Sequence, residues 1–235
     1  MTVQQKSKLL LILLIVLSLI TVTLGVTALI NIQTTISTIL VVIMVILLLI
    51  IWKLRGVYQI NNMEHKYAIL QNKKEASIKI GKEIVSAKWI ETIIHKYDYQ
   101  THIKHENYHL LYRFEKEKGR KKAETLFIVV WIKDQSISFE SINLAKDIAS
   151  LEKNIYKTKK YKHRIILQFK NGRASGKELK EADKVFYFQQ NRINFVLINC
   201  LFDQKNKSLY FLHSNQFYPT TYYKYGVDEI KKITL

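Results

Sequence analysis

Four histidines, His95, His102, His105 and His109, fall within 15 residues, with Asp98 and Glu106 among them. Imidazole and carboxylate are zinc ligands, and His105 and His109 would share a helix face at i, i+4 spacing. The segment reproduces no recognised ligand spacing. Asp98 to Asn107 reads as a connecting loop, and His109 opens a strand. The expectation is therefore solvated loop histidines, with no metal and no cofactor.

Two further stretches carry the residue types of phosphate chemistry. Asn171-Gly172-Arg173-Ala174-Ser175-Gly176-Lys177-Glu178 follows a strand and precedes a short helix, which is the setting of a phosphate-binding loop. That motif needs four residues between its glycines and a hydroxyl after its lysine. Here there are three, and Glu178 stands where the hydroxyl should be, so a flexible basic loop is the better reading. Lys153 to Arg164 (KNIYKTKKYKHR) holds six Lys/Arg, one His and no acid, with Tyr156 and Tyr161 interleaved. Lysines there suit phosphates, and tyrosines could stack on unpaired bases. Anionic lipid headgroups would be met equally well, and cations also favour the negative pole of a helix end. Lys157, Lys159, Lys160, Lys162 and Arg164 are the anion-facing candidates from this stretch.

The elements that must position these residues follow from periodicity. In Glu83 to Tyr97, Val85, Trp89, Ile93 and Tyr97 recur every four residues, the stripe of an amphipathic helix. Tyr108 to Glu115 and Glu124 to Lys133 are rich in strand formers and are joined by a basic segment centred on Gly119, which predicts a hairpin. The second of these strands is almost continuously apolar, as expected of a central strand covered on both faces. Ser141 to Tyr156 predicts a helix with Ser141 as its N-cap. Arg164 to Phe169, Val185 to Gln189, Ile193 to Phe202 and Ser208 to His213 read as strands. Lys177 to Lys184 reads as a short helix or loop, and Val227 to Ile233 as a final short helix after a Tyr-rich coil. Blocks of strands with interspersed helices predict an α+β domain with a mixed or mainly antiparallel sheet, its helices mainly on one face.

A helix, a hairpin, a helix and a strand is also an order that a restriction-endonuclease-like nuclease could use. Its chemistry would need an acid on one strand and (D/E)-x-K on the next, holding a metal. In the expected strand the residues are Trp131-Ile132-Lys133, so tryptophan occupies the acid's place. A displaced site would have to draw on Glu115, Glu117 and Glu124 together with Lys133. No Ser-His-Asp or Cys-His arrangement stands out. The single cysteine, Cys200, lies in an apolar strand as core packing, and it excludes an intramolecular disulfide.

All of this hangs from the first 52 residues. Leu9 to Ile30 is 22 positions without a charge, and Ile39 to Trp52 is a second apolar run that Thr34 to Thr38 extends. A helix needs about 20 apolar residues to cross a hydrocarbon core, so both runs predict transmembrane helices. The second reaches full length if its Ser and Thr hydroxyls bond back to helix carbonyls. Residues 1–8 and the segment after Trp52 carry the flanking cations Lys6, Lys8, Lys53 and Arg55, whereas the loop 31–38 carries none. The excess of cations belongs inside, which predicts a multi-pass protein of a bacterial cell membrane with both termini cytoplasmic. A cleavable signal peptide, with Val26-Thr27-Ala28 as its site, would have a shorter apolar core than this.

The charge balance points the same way. The chain has 37 basic and 19 acidic residues, for a net charge of +18. Only Lys6 and Lys8 precede residue 53, which leaves 35 against 19, or +16, in the remainder. The connector 53–82 holds seven cations and two acids, and residues 83–235 are the length of one domain. Heavy use of Lys, Ile, Asn and Tyr fits an AT-rich bacterial genome, so codon usage contributes to the excess. The sequence thus predicts a membrane-anchored, basic cytoplasmic binding or assembly module without a catalytic constellation. Its expected partners are the bilayer, anionic lipid headgroups reached through Lys53, Arg55 and the cations of 157–164, or a protein. Nucleic acid, bound or cleaved, is the alternative.

Overall fold

The computed structural model describes residues 2–30, 35–116, 124–140, 144–155, 161–190 and 193–235. The chain forms two compact units, Met1–Ile69 and Leu70–Leu235.

The first unit holds helix α1 (Val3–Ile30) and most of helix α2 (Thr35–Asn72). Both are long and apolar enough to cross a membrane. α1 is apolar all round, and Leu19, Val22 and Leu29 stand exposed on it, as do Ile39, Ile46 and Leu49 on α2. Where the helices meet, small residues allow a close approach, which is how apolar helices pack without a hydrophobic driving force. Thr21 and Ala28 are buried, and a Cβ on Gly25 would lie 3.4 Å from Met44 Sδ. The hydroxyls of Ser18, Thr21, Thr23 and Thr27 all donate to carbonyls of their own helix. Ser37 instead donates across to the Ala28 carbonyl at 3.0 Å. α2 does not stop at Trp52. It continues unbroken to Asn72, so the first 20 residues of the basic connector are helical.

The second unit is an eight-stranded mixed sheet with helices. In chain order its elements are β1 (Ile78–Lys79), α3 (Ala87–Tyr97), β2 (Gln100–Lys104), β3 (Tyr108–Lys116), β4 (Glu124–Ile132), α4 (Leu144–Ile155), β5 (His163–Asn171), α5 (Gly176–Ala182), β6 (Val185–Gln190), β7 (Ile193–Asp203), β8 (Ser208–Tyr210) and α6 (Thr221–Thr234). The order across the sheet is β1-β8-β7-β5-β4-β3-β2, with β6 also on β7. β4, β5 and β7 run parallel at the centre, and antiparallel strands flank them on both sides.

Two expectations need correction. Asp98 to Asn107 is not simply a loop, because Gln100–Lys104 forms the edge strand β2, whose polar side chains suit an exposed edge. The helices also cover both faces. The β4–β5 crossover supplies α4 to one face, and α3 and α6, which lie outside the parallel crossovers, cover the other. On one face Leu144, Ile148, Leu151 and Ile155 of α4 pack on Leu126, Ile128, Val130 and Ile166. On the other, Trp89 of α3 meets Phe169 edge-on at 5.0 Å and donates from Nε1 to the Ile233 carbonyl of α6. α6 lies so close to the sheet that a Cβ on Gly226 would be 2.8 Å from Ile198 Cδ1 and 3.2 Å from Ile165 Cγ2. Ser141, the expected N-cap of α4, lies outside the described residues.

Candidate functional site

The anion-facing candidates are dispersed. Lys53 and Arg55 are exposed on α2, immediately after its apolar run. Lys157, Lys159 and Lys160 lie outside the described residues. Lys162 is exposed, and its backbone is tied to Glu124 and Asn194. Arg164 is committed elsewhere: its Nη1 pairs with Glu152, and its guanidinium sits 4.8 Å from the centre of the Phe195 ring. Tyr156 also lies outside the described residues. Tyr161 is buried with its hydroxyl donating to Glu152, so that ring offers no face for a base to stack on.

The acids weighed for a displaced nuclease site are not assembled. Glu124 and Lys133 stand at opposite ends of β4, about 30 Å apart at 3.3 Å per residue. Glu115 pairs in register with Thr125 at the far end from Lys133, and Glu117 lies outside the described residues. At the near end, Trp131 faces His109 across the β3–β4 ladder with ring centres 5.1 Å apart, so no carboxylate occupies the paired position. Lys133 Nζ donates to the His105 carbonyl.

The histidines are likewise separated. His105 and His109 do not share a helix face, since His105 lies in the β2–β3 turn and His109 in β3. His105 approaches Asp147 at 3.3 Å, and His102 packs edge-on against Tyr112. Burial lowers the His109 pKa, and Lys133 and Lys104 lower it further. Among the described residues, no group of three or more potential ligands is placed to hold a metal ion. In the loop after β5, Ser175 caps α5 and Glu178 occupies the space beside Gly172, 2.8 Å from where a Cβ would sit. Glu178 also approaches the buried Lys170 at 3.5 Å. A carboxylate therefore fills the place a phosphate would take.

What the fold does assemble is a groove of about 570 Å³ on the α4 face of the sheet. Leu144 and Ile148 of α4 form one wall, Phe186 of β6 and Phe195 of β7 contribute on the other side, and Ile166 and Leu197 lie on the floor. Gln168 and Asn199 line the same groove as register neighbours on β5 and β7, which places their backbones about 5 Å apart. Both are buried, 3% and 2% exposed. Asn199 donates from Nδ2 to the Glu181 carbonyl at 2.9 Å, which fixes the amide's orientation. Asn199 Oδ1 and Gln168 Oε1 receive no hydrogen bond from any protein group, nor does Arg164 Nε meet an acceptor. All three atoms are shielded beneath the groove's surface, so the groove itself is lined mainly by apolar side chains. The sequence signal was slight: one glutamine within RIILQFK and one asparagine within FVLINCLF, each interrupting an apolar strand.

A second polar centre lies on the opposite face, and it is saturated. Glu229 of α6 accepts from Tyr99 at 2.8 Å and from Arg113 Nε and Nη2 at 3.1 and 2.5 Å. Burial, and then the Glu229 charge, hold the Tyr99 phenol well above its ordinary pKa. With its acceptors and donors paired to one another, this network ties α6 to β3.

Comparison with protein-family models, with curated proteins and with solved structures finds no match to this chain.

Proposed function

We propose that this protein is a bilayer-anchored binding module. α1 and α2 span a bacterial cell membrane, both termini are cytoplasmic, and the mixed-sheet domain uses its cations on the anionic inner leaflet. The observation that carries this reading is the pair of long helices with apolar side chains exposed along their length, ending on α2 at the exposed cations Lys53 and Arg55. Exposed apolar helices of this length are stable in lipid, where every backbone group is satisfied internally. Cations near an anionic surface each contribute about 1 kcal/mol of attraction, screened by salt. The net +16 beyond residue 52 supports such a contact.

The test uses residues 70–235, a compact unit with its own core. Co-sedimentation with vesicles rich in phosphatidylglycerol should exceed that with neutral phosphatidylcholine vesicles and should fall steeply between 50 and 300 mM salt. Reversal of Lys157, Lys159, Lys160 and Lys162 to Glu should abolish it. Binding that ignores salt and these reversals would contradict the reading. Tighter binding to DNA or RNA than to vesicles would favour the nucleic-acid alternative.

A further inference from the structure

We propose that the free edge of β6 is a self-pairing surface: two copies of this chain join β6 to β6, antiparallel, about a two-fold axis, and their sheets become one. This goes beyond the membrane-binding reading and does not rest on it.

Three strands of the sheet have a single neighbour, β1, β2 and β6. An unpaired edge offers its N–H and C=O groups to any other strand, and proteins blunt such edges with short strands, bulges and charges. Two of the three are blunted in these ways. β1 is two residues long. β2 carries His102 and Lys104, and its register shifts between Thr101 and Ile103, an irregularity that interrupts the ladder. β6 has none of these devices. Its six residues read VFYFQQ, with no charge, no proline and no glycine, and aromatic and β-branched residues favour pairing. The ladder to β7 runs without a shift from Val185↔Ile198 to Gln190↔Ile193. Among the described residues, β7 supplies the only backbone partners of β6. Every second residue of β6 therefore turns its N–H and C=O to the open side.

The side chains add a second observation. Within Leu70–Leu235, Phe186 at 47% and the C-terminal Leu235 are the large apolar side chains that stand exposed among the described residues. Phe186 pairs in register with Leu197 and lies on the side of the groove opposite α4.

Whatever covers this edge must bring a strand of its own, and β6 is its own complement. In a two-fold pair residue i meets j and j meets i, so a charged strand would set like charges against each other. VFYFQQ brings none, and the flanking Lys184 is paired with Glu140 at 2.5 Å. A two-fold axis normal to the sheet keeps both α4 helices on one face. The two grooves then meet as one trough between them, where each Phe186 gains apolar cover from the other copy. Pairing consumes both β6 edges, so assembly closes at two.

The experiment uses the full chain, in its membranes for cross-linking and in detergent micelles for sedimentation. Cysteine replaces Val185, Phe186 or Tyr187 singly, with Gln100 and Lys104 of β2 as control positions. The native Cys200 is buried and gives no background. Mild oxidation should produce a covalent dimer from at least one β6 variant, in at least tenfold excess over the parent and the β2 variants. Phe186→Lys should unfold at the temperature of the parent, because the side chain is exposed, and should raise the dimer dissociation constant at least tenfold. If that variant is less stable, the cross-linking alone decides. The proposal is overturned if no β6 cysteine cross-links or if the parent sediments as a monomer. A stable Phe186→Lys that dimerises as the parent does, as association through α1 and α2 would behave, overturns it too. So do oligomers beyond the dimer, since a two-fold pair leaves no β6 edge free.

Discussion

The two units of this chain use the same residue types in opposite ways. In Met1–Ile69 the large aliphatic side chains point outward: Leu19 is 63% and Leu49 61% exposed. In Leu70–Leu235 their counterparts Ile128, Val129, Leu167 and Ile198 are wholly buried between the sheet and its helices. Apolar area removed from water is worth about 25 cal/mol per Å². The domain realises that gain within itself, whereas the helices can realise it only against lipid or a partner. The contrast teaches that the two helices need lipid or a partner to bury their apolar side chains, whereas the domain buries its own.

The domain should respond most to the loss of an internal polar partner. Glu229→Ala leaves Arg113 and Tyr99 without their shared acceptor on the closed face, and breaking a buried pair in this way costs about 3–5 kcal/mol. The lower end of that range applies, because Arg113 also reaches Glu115 at 2.5 Å. Urea unfolding of residues 70–235 measures it, and a loss under 1 kcal/mol would mean the network does not hold α6.

The anchor should respond to charge only if lipid surrounds it. Ile46→Lys places a cation midway along the apolar run of α2 and should cost about 2.5–3.5 kcal/mol of insertion free energy. The membrane-integrated fraction in a translation-coupled insertion assay should drop accordingly. The same substitution would be nearly neutral for an exposed position in water, so an unchanged fraction breaks the comparison.

The smallest effect concerns acid. Burial holds the His213 pKa below 6.5, opposed by the Phe211 carbonyl and Glu75 and reinforced by Lys231 and Lys74. His109 is displaced in the same direction. A histidine with a depressed folded pKa binds fewer protons folded than unfolded. Its contribution is complete above pH 6.5 and is lost as pH falls through its folded value. The slope per histidine cannot exceed about 1.4 kcal/mol per pH unit. His213→Gln should flatten the decline of domain stability below pH 6.5 and leave the stability of the anchor's insertion unchanged.

Much of this architecture was legible in the residues, and the failures have physical causes. The unbroken apolar run of β4 announced a strand covered on both sides, and the four-residue stripe around Trp89 announced α3, although Val85, its first member, precedes the Ser86 cap at φ 58°. Yet those same covered strands imply helices on both faces, and the second face is covered by α3 and α6, which lie far apart in the chain and outside the parallel crossovers. Strand direction is set by crossover connections and leaves no mark in periodicity. β2 carries no strand signature because QTHIK is an exposed edge with no apolar face. The start of α6 was hidden by Tyr222, Tyr223, Tyr225 and Gly226, all mediocre or poor helix formers. Tertiary packing overrides that preference: Thr220 caps the helix through the Tyr223 amide, and Gly226 lets it settle onto the sheet. The groove was the least legible feature. Gln168 and Asn199 lie 31 positions apart in the chain, and only the β5–β7 register makes them neighbours.

The central claim is that the exposed apolar helices are membrane spans holding the domain on the cytoplasmic side. The most direct measurement is protease protection of the full chain expressed in bacterial cells, with one epitope tag at each terminus, alongside alkaline carbonate extraction of a separate membrane sample. Cys200 is buried and cannot serve as the reporter. The account predicts a chain that stays with the membranes, with both tags protected in intact spheroplasts and both digested in inverted vesicles. Release by carbonate, or digestion of either tag in intact spheroplasts, would contradict it.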